Sequence, residues 1–427
     1  MKKVRLDTVQ ETLYKERLPN GLDVFILPKE NVSKVYGIFM TDYGSIDRTF
    51  IPIGKEEEVT VPDGVAHFLE HKLFEKEDYD VLFEFSKLGA SPNAFTSSTK
   101  TAYLFSATDH IEKNISLLLD YVQEPYFSDE SVEKEKGIIV QELKMYQDNP
   151  GMTLYSETLK SMFKEHPIHI DILGTEASIN AITKEDLYTC YESFYHPANM
   201  ALFIIGNIDP EETGQLIRQN QAAKTFPEAE KVTKGSYNEQ AAVFKKEKTV
   251  HMPVSVPKVA IGIKDSKDDL SGQEAVQREV MQSILLNYLF SKSGLYYESL
   301  YDEGVIDDSF GYHTSMEKSY GYTMISSETD EPRVFAERIK DILLSIKDLT
   351  LEAGAFQRMK NKQIGFGLRA MNSLEYIARE YVDLHFRNVD YFELQKMIEK
   401  ITLEEAQEYI ESWITEDKLT VCIVEAE

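Results

Sequence analysis

The sequence predicts an α+β protein built from two homologous domains. Three observations lead there: the length of the chain, an internal repeat, and a polar segment between the two copies. At 427 residues the chain exceeds what one compact core usually organises, so two to three domains are expected. The repeat is ungapped: ITKEDLYTCYESFYHPANMALFIIGN (182–207) aligns on ITLEEAQEYIESWITEDKLTVCIVEA (401–426), 219 residues further on. Each copy opens with Ile-Thr, places acidic residues at a helix start, and runs through an aromatic-rich helix to ESF or ESW. An apolar strand follows. Self-similarity at about half the chain length implies two copies of one α+β unit. Between them FPEAEKVTKGSYNEQAAV (226–243) is polar and contains Pro and Gly, as a linker does. The expected boundaries are a first domain over 1–228, a linker over 229–243 and a second domain over 244–427.

Within the first domain, ERLPNGLDVFILPKE (16–30) reads as strand, Pro-Asn-Gly turn and strand, and VYGIFMTDYGS (35–45) as a further strand. Helical patterns dominate from about Val65 to Phe85. KTAYLFSAT (100–108) is a strand, and long helices are expected at about 111–123 and 129–147, the second closed by the breaker DNPG (148–151).

Composition removes several classes of function. With 42% hydrophobic and 28% charged residues, the chain has the balance of a soluble globular protein. No apolar run reaches the roughly 20 residues of a membrane span, and the basic N-terminus has no apolar core behind it, so no secretory signal is expected. Only Cys190 and Cys422 are present, which excludes a disulfide scaffold and a multi-cysteine zinc knuckle. A cytoplasmic location fits these features. A formal net charge of −27 argues against nucleic acid or an anionic membrane as partner. It suits solubility, and it would favour basic peptides or a basic protein.

The stretch DGVAHFLEHKLF (63–74) concentrates chemistry. At about 100° per residue, Val65, Ala66, Leu69 and Leu73 form the core stripe. His67, Glu70 and His71 lie opposite, and Asp63 sits where an N-cap belongs. His67 and His71 are one turn apart, with Cβ atoms about 5–6 Å from each other. That is close enough for both imidazoles to reach one ion through bonds of about 2.0–2.1 Å. On spacing alone a solvated helix face explains the same pattern, and two ligands are too few for a catalytic zinc, which needs a third. SDESVEKEKGIIVQELKMYQDNP (128–150) offers one. There Val132, Ile138, Ile139, Leu143, Met145 and Tyr146 form an apolar arc, and Glu135 and Glu142 stand in its middle, with Lys134, Lys136 and Lys144 on or near the far side. A carboxylate turned into a core is costly unless paired or bound to metal. A salt bridge across the core is the alternative, but beside a histidine pair short of one ligand, Zn2+ is the economical answer. Glu142 is then the third ligand and Glu135 a carboxylate that orients a ligand. With Glu70 as general base, this is the residue set of a metallopeptidase.

The H-x-x-E-H string, followed 71 residues after His71 by Glu142 and preceded there by Glu135, resembles the inverzincin family of pitrilysin, insulin-degrading enzyme and mitochondrial processing peptidase. GASPNAFTSSTKTAYLFS (89–106) is similar to the family stretch whose strand pairs with the substrate backbone. That likeness implies Asn93, Ala94 and Phe95 as peptide-binding residues. From Asn93 and Phe95 themselves, a turn residue after Pro92 and a core aromatic are equally good readings. TLYKERLPNGLDVFILPK, HFLEHKLFEKED and EKEKGIIVQE–DNP look closest to bacterial AlbF- and YmfH-like members. The resemblance covers essentially the whole chain. It implies a zinc endopeptidase whose two domains, each a mostly antiparallel sheet packed with helices, form half of a clamshell. It also implies a cytoplasmic heterodimer with a homologous subunit and, for AlbF-type members, a part in bacteriocin maturation.

One departure bears on activity. The family's second domain, or a partner, supplies an Arg and, seven residues later, a Tyr that stabilise the oxyanion. Here SKSGLYYESLYDEGVIDDSF (291–310) puts Tyr301 at the Arg position and Asp307 or Asp308 at the Tyr position. Arg369 and Tyr376 have the right separation, but they lie in a different region, within a stretch that reads as one helix. The expectation is that a homologous partner subunit supplies the Arg/Tyr pair. The rival reading is a non-catalytic scaffold or peptide-binding member of the same family, although such members usually lose one of the five metal and base residues retained here.

Overall fold

The computed structural model describes residues 1–6, 10–265 and 270–427. They divide into two compact units. The first comprises Met1–Leu143, Asp171–Ser236 and Ala370–Phe386; the second comprises Lys144–Ile170, Tyr237–Arg369 and Arg387–Glu427. The class is α+β, as expected.

In the first unit a seven-stranded sheet runs in the order Lys2–Leu6, Glu11–Arg17, Asp23–Pro28, Met200–Gly206, Val35–Thr41, Thr101–Ala107, Ser91–Thr96. All neighbours are antiparallel except Asp23–Pro28 with Met200–Gly206. The hairpin read from 16–30 is present, with Arg17 opposite Asp23. Every residue of Val35–Thr41 and of Met200–Gly206 is buried. Such near-continuous apolar strands belong where both faces of a sheet are covered. Helix Ile111–Gln123 packs on strands 35–41 and 101–107. Helix Leu374–Phe386 packs on strands 35–41 and 200–206, where Tyr381 lies 4.8 Å from Phe25 and 4.9 Å from Phe203 between ring centroids.

The second unit repeats the plan with five strands, in the order Glu247–His251, Leu419–Glu425, Lys258–Asp265, Gly321–Glu328, Gly311–Met316. Again a single pair, the first, is parallel. The aligned segments occupy matching places. Helices Lys184–Phe194 and Leu403–Trp413 are both opened by a threonine capping box, at Thr183 with Asp186 and at Thr402 with Glu405. The strands that follow, 200–206 and 419–425, each pair parallel on one side and antiparallel on the other.

The units are not continuous in sequence. Helix Pro150–Met162, from the first half of the chain, packs on strands 258–265 and 419–425 of the second unit. Helix Leu374–Phe386, from the second half, covers the matching strands of the first. Gly262 marks how closely the exchanged helix approaches, since a Cβ there would lie 2.8 Å from Met162 Sδ and 2.9 Å from Thr158 Cγ2.

The segment expected as linker is tethered at two points. Thr233–Lys234 pairs with Thr49–Ile51, and Lys234 reaches Asp47 at 2.9 Å. Glu239 accepts hydrogen bonds from the N–H groups of Lys164, Glu165 and His166 at 2.7–3.0 Å, and its other oxygen accepts one from Lys264 at 2.7 Å.

Some local expectations are corrected. The helical stretch read as 65–85 is two helices, Val65–Lys72 and Val81–Lys87, the second restarted by Asp80, whose side chain accepts from the Phe83 N–H. The stretch around Arg369 and Tyr376 is likewise two helices, Ala353–Ala370 and Leu374–Phe386, with a turn at 371–373, and its two residues fall in different units. On helix Asp129–Gln147, Ile138 and Met145 are exposed at 46% and 62%, while Lys136 is buried and bonded to Glu133. The apolar arc there is narrower than periodicity suggested. It centres on Val132, Ile139 and Leu143.

Because the Lys264 side chain is fully buried and faces Glu239, Glu239→Ala is expected to destabilise the second unit by about 3 kcal/mol, since the buried cation loses its carboxylate and keeps the Ala242 carbonyl at 3.0 Å. Chemical denaturation would show this as a lower midpoint. Adding Lys264→Met should recover much of the loss, because two apolar groups replace a broken pair.

Candidate active site

The helix carrying the two histidines is only eight residues long, Val65–Lys72, so its placement rests on what holds its ends. The N-cap is Gly64, not Asp63. Gly64 has φ 95, in the left-handed region, and a Cβ there would run into the carbonyl oxygen of Leu173. Asp63 instead pairs with Arg48 at 3.1 Å. At the other end, Lys72 is fully buried. It bonds to Glu75 and, at 3.4 Å, to the carbonyl of Ser131 in the first turn of helix Asp129–Gln147. Lys76 donates to the carbonyls of Tyr121 (2.7 Å) and Glu124, closing the helix that ends at Gln123; burial pushes its pKa down to about 8. Nothing in the spacing of the sequence singles out these two lysines. They differ from surface lysines only in what surrounds them after folding.

Helix Asp129–Gln147 faces the short helix and brings Glu135 and Glu142 to the histidines. His71 Nδ1 lies 2.9 Å from Glu135 Oε1, and His71 Nε2 lies 3.5 Å from Glu142 Oε2. His67 Nε2 is 3.8 Å from the other oxygen of Glu142. The two imidazoles are 4.6 Å apart between centroids. His71, hydrogen-bonded to Glu135 through Nδ1, presents Nε2 toward Glu142. His67 is buried, and its Nδ1 has no hydrogen-bond partner among the described residues.

This donor set fits a zinc ion. One ligand atom from each of His67, His71 and Glu142 falls within 4.8 Å of the others. A tetrahedral centre with bonds of about 2.0–2.1 Å spaces its ligand atoms by about 3.3–3.5 Å, and the contacts at 3.5 and 3.8 Å are close to that. They are longer than good hydrogen bonds and lie near the spacing that one shared ion would impose. Burial pushes the pKa of His67 down to about 3, with the neighbouring His71 acting the same way, so its imidazole is held neutral. At His71 burial also acts downward, but the bond to Glu135 and the charges of Glu135, Glu142 and Glu70 prevail, and the pKa is raised. At Glu135 the bond to His71 overrides burial and holds the carboxyl below its usual range.

Glu70 stands beside the ligand group. Burial pushes its carboxyl upward, against the opposing effects of Thr96 and His71. Thr96 Oγ1 donates to Glu70 Oε2 at 2.6 Å. Thr96 ends Ser91–Thr96, the last strand of the seven-stranded sheet, paired only with 101–107. The strand also carries Asn93, Ala94 and Phe95. Asn93 is exposed within it rather than in a turn, and its side chain accepts from the Ala94 N–H. Phe95 is half-buried, with Arg379 over its ring, rather than in the core. Neither Thr96 nor Arg379 was among the residues expected from sequence. Thr96 follows the three implied peptide-binding positions directly, so its place was readable, but its partner was not.

Other sequence features fall outside this group. Tyr301 is 49% exposed on the short helix Tyr297–Asp302. His166 and His196 each cap a 3-10 turn by accepting an N–H two residues on. Among the described residues no second set of three His, Cys, Asp or Glu side chains converges.

Residues 48–176 match the family described as insulinase (peptidase family M16), and residues 181–363 match the peptidase M16 inactive domain. A Bacillus subtilis (strain 168) protein named uncharacterized zinc protease YmfH is 48% identical, covering 99% of each chain. A second Bacillus subtilis protein, uncharacterized zinc protease YmxG, is 23% identical over 76% of this chain and 78% of its own. Among solved structures, an M16-like chain from Alicyclobacillus acidocaldarius superposes with a TM-score of 0.94 at 36% identity, covering 98% of this chain and 99% of that one. A protease from Helicobacter pylori shares the fold at TM-score 0.82 and 17% identity, over 96% and 99% of the two chains. With its metal-ligand group inside the insulinase match and near-half identity to a relative along its whole length, the chain belongs to peptidase family M16.

Proposed function

We propose that this protein is a zinc-dependent endopeptidase in which His67, His71 and Glu142 hold the ion and Glu70 is the general base. The observation that carries the reading is the convergence of three ligand atoms within 4.8 Å beside a carboxylate whose pKa burial has raised. Bound there, zinc would supply Lewis acidity toward a scissile carbonyl and ionise water near neutral pH. Glu135 keeps His71 in the tautomer that offers Nε2. Glu70 takes a proton from water and passes it to the departing amine. Thr96 ties down one oxygen of Glu70 and leaves the other for that exchange. The edge strand at Asn93, Ala94 and Phe95 binds the substrate backbone by strand addition.

Ionised Asp307 and Asp308 only accept hydrogen bonds, and Tyr301, 49% exposed, brings no positive charge to the place of the Arg. We therefore assign that role to a homologous partner subunit, and this chain is the catalytic half of a heterodimer. No helix among the described residues is long and apolar enough to cross a membrane. A cytoplasmic enzyme acting on a peptide or precursor, with bacteriocin maturation as one setting, is consistent with that and with the sequence resemblance.

Metal analysis and peptide hydrolysis test the assignment together. Wild type should bind one zinc per chain and Glu142→Gln should lose it, whereas Glu70→Gln should keep the metal and lose at least about 100-fold in kcat. Zinc-free wild type purified without chelator would refute the ligand set. Adding the partner subunit should raise kcat about 100- to 1,000-fold, the effect of an oxyanion donor. Full activity of the isolated chain would remove the need for one. Thr96→Val should lower kcat about tenfold with KM and zinc content unchanged, and Thr96→Ser should restore it.

A further inference from the structure

The edge strand Ser91–Thr96 has two faces, and only one belongs to the ligand group. Side chains alternate along a strand. Thr96 turns to Glu70, and Phe95 turns the other way, toward helix Leu374–Phe386. There the guanidinium of Arg379 lies 4.3 Å from the centroid of the Phe95 ring. The Arg379 side chain stays 46% exposed, and its ion pair with Glu375, one turn earlier, spans 3.6 Å between two groups in solvent. A pair of that kind is weak and too long to be a hydrogen bond. Stacking uses the flat face of a guanidinium and leaves its in-plane N–H donors for other partners.

A peptide added to this edge places every second side chain on the Phe95 face, with Cβ atoms about 4.5–5.5 Å from the residue opposite. The side chain facing Phe95 therefore meets a ring already capped by a cation. An aromatic side chain has lost that ring face to Arg379, and a lysine or arginine meets like charge. A carboxylate finds in-plane donors matched to its two oxygens. We infer that Arg379, held on Phe95, is a specificity-determining residue that selects an acidic side chain at the substrate position opposite Phe95. The inference rests on the peptidase reading above. It also gives Arg379 a role in register, because a one-residue slip moves every peptide side chain to the other face. Fixing one acidic residue at Phe95 thereby fixes which bond reaches His67, His71 and Glu142. The net charge of −27 does not oppose this. The general field favours a peptide that is basic overall, and the Arg379 cation at the edge is then the point where an acidic residue in it is placed.

Binding and cleavage separate the two readings. Fluorescent peptides of constant sequence, with Glu or Gln at each position in turn, are titrated against Glu70→Gln alone and combined with Arg379→Gln or Arg379→Lys. The expected result is about a fivefold preference for Glu at one position, abolished by Arg379→Gln and partly kept by Arg379→Lys. Equal affinity for Glu and Gln at every position, or no binding by any peptide, overturns the inference. So does a uniform loss across the series in Arg379→Gln, which would make Arg379 a brace for Phe95 and no more. Cleavage of the all-Gln peptide by the wild-type chain with its partner present reports on the peptidase reading independently, since that peptide offers Arg379 no carboxylate.

Discussion

The structure depends on holding a small group of half-buried ionisable side chains close together around the buried His67. His67, Glu70, His71, Glu135 and Glu142 sit on facing surfaces of two helices, and no hydrogen bond joins His67 or Glu142 to another member. Left to itself the arrangement is unfavourable: the buried Nδ1 of His67 goes unsatisfied, and a Glu142 oxygen lies 3.8 Å from Nε2 without a hydrogen bond. Unpaired buried polar groups cost on the order of 1–3 kcal/mol each. A divalent cation turns the same crowding into a binding site, because it needs several lone pairs aimed at one point. The rest of the first unit supplies the rigidity that crowding requires.

That rigidity comes from short-range locks on a helix too short to be stable by itself. Gly64 lets the chain enter the helix against the Leu173 carbonyl, and Lys72 and Lys76 tie its far end to the backbone of helices 129–147 and 111–123. The sheet beneath is completed by a helix from the other half of the chain, just as the second unit's sheet takes helix 150–162 from the first half. Each unit thus depends on a helix from the other half of the sequence. The pattern couples the folding of the half that carries the metal-ligand group to the half that does not.

The edge strand 91–96 touches the candidate site on one face and helix 374–386 on the other. Thr96 fixes the orientation of Glu70, and Phe95 and Arg379 shape the opposite face. A substrate that pairs with this strand is therefore bound by the backbone that positions the base. Small errors in strand position would act on binding and on proton transfer together.

The sequence by itself determined the class, the twofold repeat and which side chains converge at the candidate metal site. These rest on local periodicity and on residue types with few alternative uses. His67, His71, Glu135 and Glu142 were legible because one-turn and two-turn spacings on a helix fix which side chains share a face. The long helices at 111–123 and 129–147 were legible for the same reason. Tertiary structure alone decided the rest. Ile138 and Met145 share the helical phase of a core stripe, yet they stay 46% and 62% exposed, and only the neighbouring elements settle that. Asp63 had the chemistry of an N-cap but lost the place to Gly64, whose backbone alone tolerates the approach of Leu173. The exchange of helices 150–162 and 374–386 leaves no local trace, because an apolar helix face does not encode which sheet it will cover. The bonds from Thr96 to Glu70 and from Glu239 to Lys264, like the stacking of Arg379 on Phe95, join residues between 25 and 284 positions apart. No periodicity reports such pairs, since they exist only once the chain has closed on itself.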